Sequence, residues 1–178
     1  MPRYVVLLRG INVGGNKKIA MADLRELLSR LEYADVRTHL QSGNAVLSSP
    51  SGPAETASRI ETGLLEELGI SVRCLVRTGD ELRAVIDGNP LAGVATNGSR
   101  YLAVFISEQP DPGLLAGHDP AGLAPGEIHL GERVIYQWCP EGIMAAPPLA
   151  AYVEKHLGVV ATARNWNTVT RLQALLGE

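Results

Sequence analysis

The chain has 178 residues, 46% of them hydrophobic and 20% charged, with a mean hydropathy of +0.06. That is the balance of a folded globular protein and excludes wholesale disorder and collagen-like repeats. Sixteen Lys and Arg against nineteen Asp and Glu leave a formal charge of −3, so any affinity for a polyanion must come from a local site. The length accommodates one large domain or two small ones. No apolar run approaches the ~18 residues of a membrane span, and the opening MPRYVVLLRG has too short an apolar part for a secretory signal, so a cytoplasmic protein without a membrane partner is expected.

Residues 4–8 read as a continuous apolar strand, and 20–31 as a helix with Leu24, Leu27, Leu28 and Leu31 on one stripe. A glycine-rich loop joins them. Residues 36–40 and 45–48 read as strands of a hairpin around Gln41-Ser42-Gly43-Asn44, where Gly and Asn accept positive φ. Pro53 opens an amphipathic helix through Ala57, Ile60, Leu64 and Leu68, which Gly69 stops. A strand over 70–76 follows. Thr78-x-x-Glu81 is a capping box ahead of Leu82, Val85 and Ile86, a short helix closed by Asp87-Gly88-Asn89-Pro90.

This β-α-β-β-α-β-α order is the split βαβ, ferredoxin-like arrangement plus one helix, and the second half repeats it. Residues 101–106 read as a strand, 112–116 as a weak helix, 127–130 and 133–138 as a hairpin turning at Gly131-Glu132, and 149–157 as a helix. LGISVRCLVRTGDEL from Leu68 parallels LGVVATARNWNTVTRL from Leu157, as helix end, strand, cap and next helix. The expected fold is therefore α+β, with tandem duplicated ferredoxin-like domains over 1–92 and 100–178 and a linker over 93–99. The leading strands 5–8 and 102–106 are apolar without alternation, so both of their faces should be buried, against the sister domain or a second copy in a homodimer.

The most unusual local sequence, RGINVGGNKK, lies between strand one and helix one. Glycines let backbone N–H groups turn inward and a helix start adds partial positive charge, so this position suits an anion. Local charge agrees. Residues 1–22 hold Arg3, Arg9, Lys17 and Lys18 and no acid, whereas 101–132 hold five acids and no Lys or Arg. The loop is neither a Walker A nor a G-x-G-x-x-G fingerprint, since Asn16 stands where the Walker lysine would. The competing reading is structural, with glycines serving a tight path and lysines solvated. Likewise Gln41-Ser42-Gly43-Asn44 is first a turn. Asn165 in Arg164-Asn165-Trp166-Asn167-Thr168 is first an N-cap, with Trp166 a packing anchor and Arg164 a partner for a carboxylate or a carbonyl.

Catalytic and metal signatures are missing from the sequence. There is no G-x-S-x-G or H-E-x-x-H, and His39 with Ser42 has no evident third member. Cys74 and Cys139 stand apart in apolar contexts and read as buried thiols, and the four histidines are scattered, so neither a metal nor a cofactor is expected. Aromatic residues make up 4%, with no basic run interleaving Tyr101, Phe105, Tyr136 and Trp138, so core packing is the better account than nucleic-acid stacking.

LLRGINVGGNKKIAMADLRELL, VRTHLQSGNAVLSS and ATARNWNTVTRL, in that order, resemble the bacterial family of domain of unknown function 1697 over residues 4–176. The resemblance implies two ferredoxin-like α+β halves and brings no mechanism with it. Its motifs fall on Arg9, Gly10, Asn12, Gly14 and Gly15 with Lys17 and Lys18, then on Gln41, Ser42, Gly43 and Asn44, then on Arg164, Asn165, Trp166, Asn167 and Thr168. One departure stands out. After Gly142-Ile143, relatives resemble G-x-x-R-S-K-L, whereas this chain has Met144-Ala145-Ala146-Pro147-Pro148-Leu149.

Three functions follow as expectations. The first is a binding protein for a phosphate- or carboxylate-bearing small molecule, received by Arg9, Asn12, the amides of Gly14 and Gly15, and Lys17 or Lys18. Gln41, Ser42, Asn44 and Arg164 to Asn167 would add directional hydrogen bonds if the fold brings the motifs together. The second is an enzyme on a small phosphorylated or nucleotide-like substrate that works by positioning and charge. The third is a structural or interaction module whose motifs only cap helices and close turns.

Overall fold

The structure, a computed structural model, describes residues 1–13 and 17–178. The fold is mixed α+β, with two four-stranded antiparallel sheets and six α-helices among the described residues. The chain divides into two compact units, one of residues 1–83 with 171–178 and one of residues 84–170.

In the first unit β1 (Arg3–Leu8) leads to α1 (Met21–Arg30), β2 (Ala34–His39), β3 (Asn44–Ser48), α2 (Pro53–Leu68), β4 (Cys74–Thr78) and the start of α3 (Gly79–Asp87). The strand order is β2-β3-β1-β4, with β1 antiparallel to both β3 and β4. Leu24, Leu27 and Leu28 of α1 and Ile60 and Leu64 of α2 are fully buried over Tyr4, Val6 and Leu8 of β1. Val5 and Leu7 alternate with those residues and are 0% exposed, so side chains on both faces of β1 are buried. The helical stripe and the apolar strand thus behave as their periodicities demand.

Two strand starts differ from the sequence reading by two residues or more. The strand expected from Ile70 begins at Cys74, because the end of α2 uses the intervening backbone. Gly69 takes φ 67°, its N–H donates to Leu65 O at 3.1 Å, and the Ile70 N–H reaches back to Leu64 O at 3.2 Å. That paired closure is a helix cap rather than a strand start. β2 begins two residues early, at Ala34, with a register shift between Ala34 and Arg37 and Asp35 at φ 53°. An irregular, half-exposed edge strand carries too weak an alternation to be placed from sequence.

The second unit contains β5 (Tyr101–Ile106), α4 (Pro112–Gly117), a 3-10 turn (Pro120–Leu123), β6 (Ile128–Leu130), β7 (Val134–Trp138), a second 3-10 turn (Ile143–Ala145), α5 (Leu149–Leu157), β8 (Ala161–Asn165) and the first residues of α6 (Trp166–Gly177). Its strand order is β6-β7-β5-β8. Leu149, Val153 and Leu157 of α5 bury against Val104 and Ile106 of β5, Ile128 and Ile135. The residues of α6 from Arg171 onward count with the first unit, where Arg3 Nη1 donates to the carbonyls of Leu175 at 3.2 Å and Leu176 at 3.0 Å. No helix among the described residues is long and apolar enough to cross a membrane.

Candidate functional site

The loop after β1 is organised by Asn12. Its backbone sits at φ 57°, a conformation that Asn tolerates better than most residues. Its Oδ1 accepts from the Ile19 N–H at 2.9 Å, and its Nδ2 donates to Ile19 O at 2.9 Å and to Gln41 O at 2.6 Å. The Asn12 N–H also donates to Lys17 O at 2.7 Å, so residues 12, 17 and 19 are tied together at the base of the loop. Lys17 and Lys18 stand exposed on it, and Ile11 and Ile19 are buried beneath. Gly14 and Gly15, expected to offer amides to an anion, lie outside the described residues. Downstream, α1 starts from Ala20, which has no side chain able to cap, so the first-turn N–H groups receive no side-chain acceptor from the N-cap.

The second motif is joined to the first. The Leu8 N–H donates to Gly43 O at 2.9 Å, and Gly43, at φ 90°, lies so close to β1 that a Cβ there would come within 2.8 Å of both Leu8 Cβ and Ile11 Cδ1. Only glycine fits this approach. Asn44 is 0% exposed and its Nδ2 donates to His39 O at 2.8 Å and Ser42 Oγ at 2.9 Å. Of the sequence candidates in this unit, Asn12 and Asn44 are therefore engaged inside the fold, while Gln41, Ser42, Lys17 and Lys18 face solvent and Arg9 is half-buried.

The third motif lies in the second unit. Arg164 on β8 is 6% exposed, and its Nη1 donates to Thr162 Oγ1 at 2.7 Å and to Ala163 O at 2.9 Å. Burial lowers its pKa to about 10, which leaves it charged at neutral pH. Asn165 is the N-cap that its position suggests, its Oδ1 accepting from the Thr168 N–H at 2.9 Å. Trp166 packs on Tyr101 with ring centroids 4.8 Å apart and on Tyr136 at 6.2 Å, and its backbone N–H donates to Gly98 O at 3.0 Å. Residues 93–99, expected as a linker, thus include a docking point for the start of α6. The Tyr101 hydroxyl donates to Asn89 Oδ1 and the Tyr136 hydroxyl to Val85 O, so these aromatics form a packed cluster with satisfied hydroxyls.

Burial pushes the thiols of Cys74 and Cys139 and the phenols of Tyr101 and Tyr136 upward, which keeps core groups neutral. His39 is lowered by burial and by Arg171. Among the described residues no group of three or more His, Cys, Asp or Glu could hold a metal ion.

The segment where the sequence departs from the G-x-x-R-S-K-L pattern forms the lip of a pocket of about 360 Å³ in the second unit. Leu102, Val104, Met144, Pro147 and Ala163 line it together with Gln137, the one polar side chain among the described lining residues. The only hint of it in the sequence is the uncharged run from Gly142 to Ala151.

Family comparison spans the first two motifs, while the third, at residues 164–168, lies beyond the matched residues. A model described as protein of unknown function (DUF1697) matches residues 1–136. The chain belongs to the DUF1697 family. Among solved structures, the conserved bacterial protein SP0830 from Streptococcus pneumoniae is similar, with a TM-score of 0.75 and 23% identity over 98% of each chain. At that identity the likeness speaks for the DUF1697 fold and not for an activity. No curated protein matches the chain.

Proposed function

We propose that this DUF1697 protein binds a phosphate- or carboxylate-bearing small molecule at the loop after β1, through Lys17, Lys18 and Arg9, with Gly14 and Gly15 contributing backbone amides. The observation that carries the reading is two exposed lysines on a loop closed by Asn12, leading into a helix start without a side-chain cap. Holding the base of the loop together before the ligand arrives lowers the ordering entropy that binding would otherwise cost. Gln41 and Ser42, brought beside the loop by the Asn12–Gln41 bond, are placed to give direction to the contact. Within the second unit, Asn167, exposed beside the buried Arg164, Asn165 and half-buried Trp166, is the group of that motif best placed to meet a ligand.

Thermal melting against phosphate, nucleotides and sugar phosphates at two salt concentrations tests this. A rise for one ligand class, abolished by Arg9→Ala or by Lys17→Ala with Lys18→Ala, supports the site, and no rise with any class sinks it. Engagement of Asn12, Asn44 and Asn165 in internal bonds favours a second reading, in which the motifs serve the fold alone and the protein is an interaction module.

We further infer a tandem ferredoxin-like duplication over residues 1–92 and 100–178, in a protein that works in the cytoplasm. Both sheets place their four strands in the same relative order, second, third, first and fourth. The final strand of each carries a buried arginine, Arg77 at 4% and Arg164 at 6% exposure, followed at once by a capping residue, Thr78 or Asn165. The compact units exchange α3 and α6 residues relative to those halves, as an extra helix after each repeat permits.

A further inference from the structure

We propose that Arg37 on β2 and Arg171 on α6 form a site for a small dicarboxylate, which the side chain of Glu178 fills in this structure. All of its parts belong to the first unit. The pleat of β2 puts Arg37 and His39, two positions apart, on one face of the strand. Arg171 and Glu178 are seven positions apart, about two helical turns, so α6 and the residue that follows it present both on one side. The two elements meet at a single carboxylate. Arg37 Nη1 donates to Glu178 Oε2 at 2.5 Å, and Arg171 Nη1 lies 3.8 Å from Glu178 Oε1. Each oxygen therefore has its own guanidinium, a charge-assisted arrangement that suits a carboxylate from any source.

The position of that carboxylate shows how strongly the surroundings favour an anion. Glu178 follows the last turn of α6, where the carbonyl end of the helix opposes negative charge. Arg3 offsets that end, its Nη1 donating to the carbonyls of Leu175 at 3.2 Å and Leu176 at 3.0 Å. Arg37 and Arg171 are thereby left to the carboxylate. Through Nη2, Arg3 also reaches Asp35 O at 3.4 Å, so a third guanidinium borders the site from β1. The acids facing it are Asp35 and Glu178, and the Asp35 carboxylate accepts from Ser48 Oγ at 3.1 Å. Three guanidiniums against two carboxylates leave positive charge in excess even with Glu178 in place. His39 senses it, since its imidazole is lowered by burial and then by Arg171.

Exchange at this site is cheap. Arg37, Arg171 and Glu178 are all exposed, and an exposed ion pair holds its partner weakly, so a carboxylate from solution competes with Glu178. Once Glu178 leaves, the three guanidiniums exceed Asp35 by two charges, which a small ligand with two carboxylates neutralises. The site shares no residue with the basic loop, so the two readings stand or fall separately.

Succinate is the probe, titrated into the full chain at pH 6.5 and constant ionic strength set with chloride, with the imidazole signals followed by NMR. His39 should shift saturably toward the imidazolium position, because a bound anion favours the charged ring, with a Kd on the order of 1 mM. His118, His129 and His156 should not move. Glu178→Gln, which removes the occupant and keeps its size, should tighten the Kd by about two- to fivefold. Arg171→Ala and the monomethyl ester of succinate should each weaken it by at least about fivefold. Lys17→Ala with Lys18→Ala should leave it within about twofold. No saturable His39 shift, a Kd unchanged in Glu178→Gln or in Arg171→Ala, equal binding of the ester, or loss of the shift in the lysine variant would overturn the proposal.

Discussion

Asn12 and Gln41 are 29 positions apart in sequence, and the Asn12 Nδ2 donates to the Gln41 carbonyl at 2.6 Å, tying the loop after β1 to the turn between β2 and β3. The same nitrogen reaches Ile19 O and the same side chain's oxygen receives the Ile19 N–H, so one amide fixes the loop's base and its neighbour together.

Replacing Asn12 with alanine removes all three side-chain bonds and puts a residue intolerant of φ 57° in its place. Asn12→Ala should lower stability by about 2–3 kcal/mol, read as a shift in the urea midpoint at unchanged m. A loss below about 0.5 kcal/mol would show that the loop is not held by this amide.

Gly43→Ala meets two obstacles at once, the positive φ and a Cβ 2.8 Å from Leu8 Cβ, an atom of a fully buried strand residue that cannot swing away. The expected cost is about 1–3 kcal/mol, visible as a lower Tm. Gly142→Ala, where nothing lies within 4 Å of the added carbon, should cost only the backbone strain and hence less.

The capping box at the start of α3 is reciprocal: the Glu81 N–H donates to Thr78 Oγ1 at 3.0 Å and the Thr78 N–H to Glu81 Oε1 at 3.1 Å. Thr78→Ala should cost about 1 kcal/mol in chemical unfolding, and Thr78→Ser should recover most of it because the hydroxyl is what caps.

His156 stacks on His118 with ring centroids 4.7 Å apart and planes 12° from parallel, and its pKa is lowered by desolvation, by His118 and by Lys155. A base whose folded pKa is depressed binds fewer protons folded than unfolded below its ordinary value of 6.5. Its contribution is complete above pH 6.5 and is lost as pH falls through the folded pKa. His156→Gln should therefore narrow its Tm gap to the parent as the pH drops from 7 toward 5, and a gap that stays constant over that window would contradict the lowered pKa of His156.

Charge on the basic loop should matter only when a ligand is present. Lys17→Ala with Lys18→Ala, both exposed, should leave the Tm within about 1 °C of the parent in buffer while removing any rise that phosphate or a phosphate ester produces. A variant that melts lower without ligand would assign the lysines to the fold instead.

Element identity was legible wherever the cause is local. The Leu24–Leu28 stripe, the Gly69 stop, the Thr78–Glu81 box and the Asn165 cap each rest on groups within a few positions of one another, and all four stand as the sequence implies. Continuous apolarity over 5–8 likewise told that β1 is covered on both faces, because water contact on either would have been selected as polar alternation. Tertiary structure alone decided the rest. Whether Asn12 offers its amide to a ligand or to Ile19 and Gln41 depends on a neighbour 29 positions away, which no local pattern encodes. The bond from Gln137 Nε2 to the Pro147 carbonyl exists only because β7 and the start of α5 meet in space, and a polar atom's partners are fixed by that meeting rather than by its own residue type.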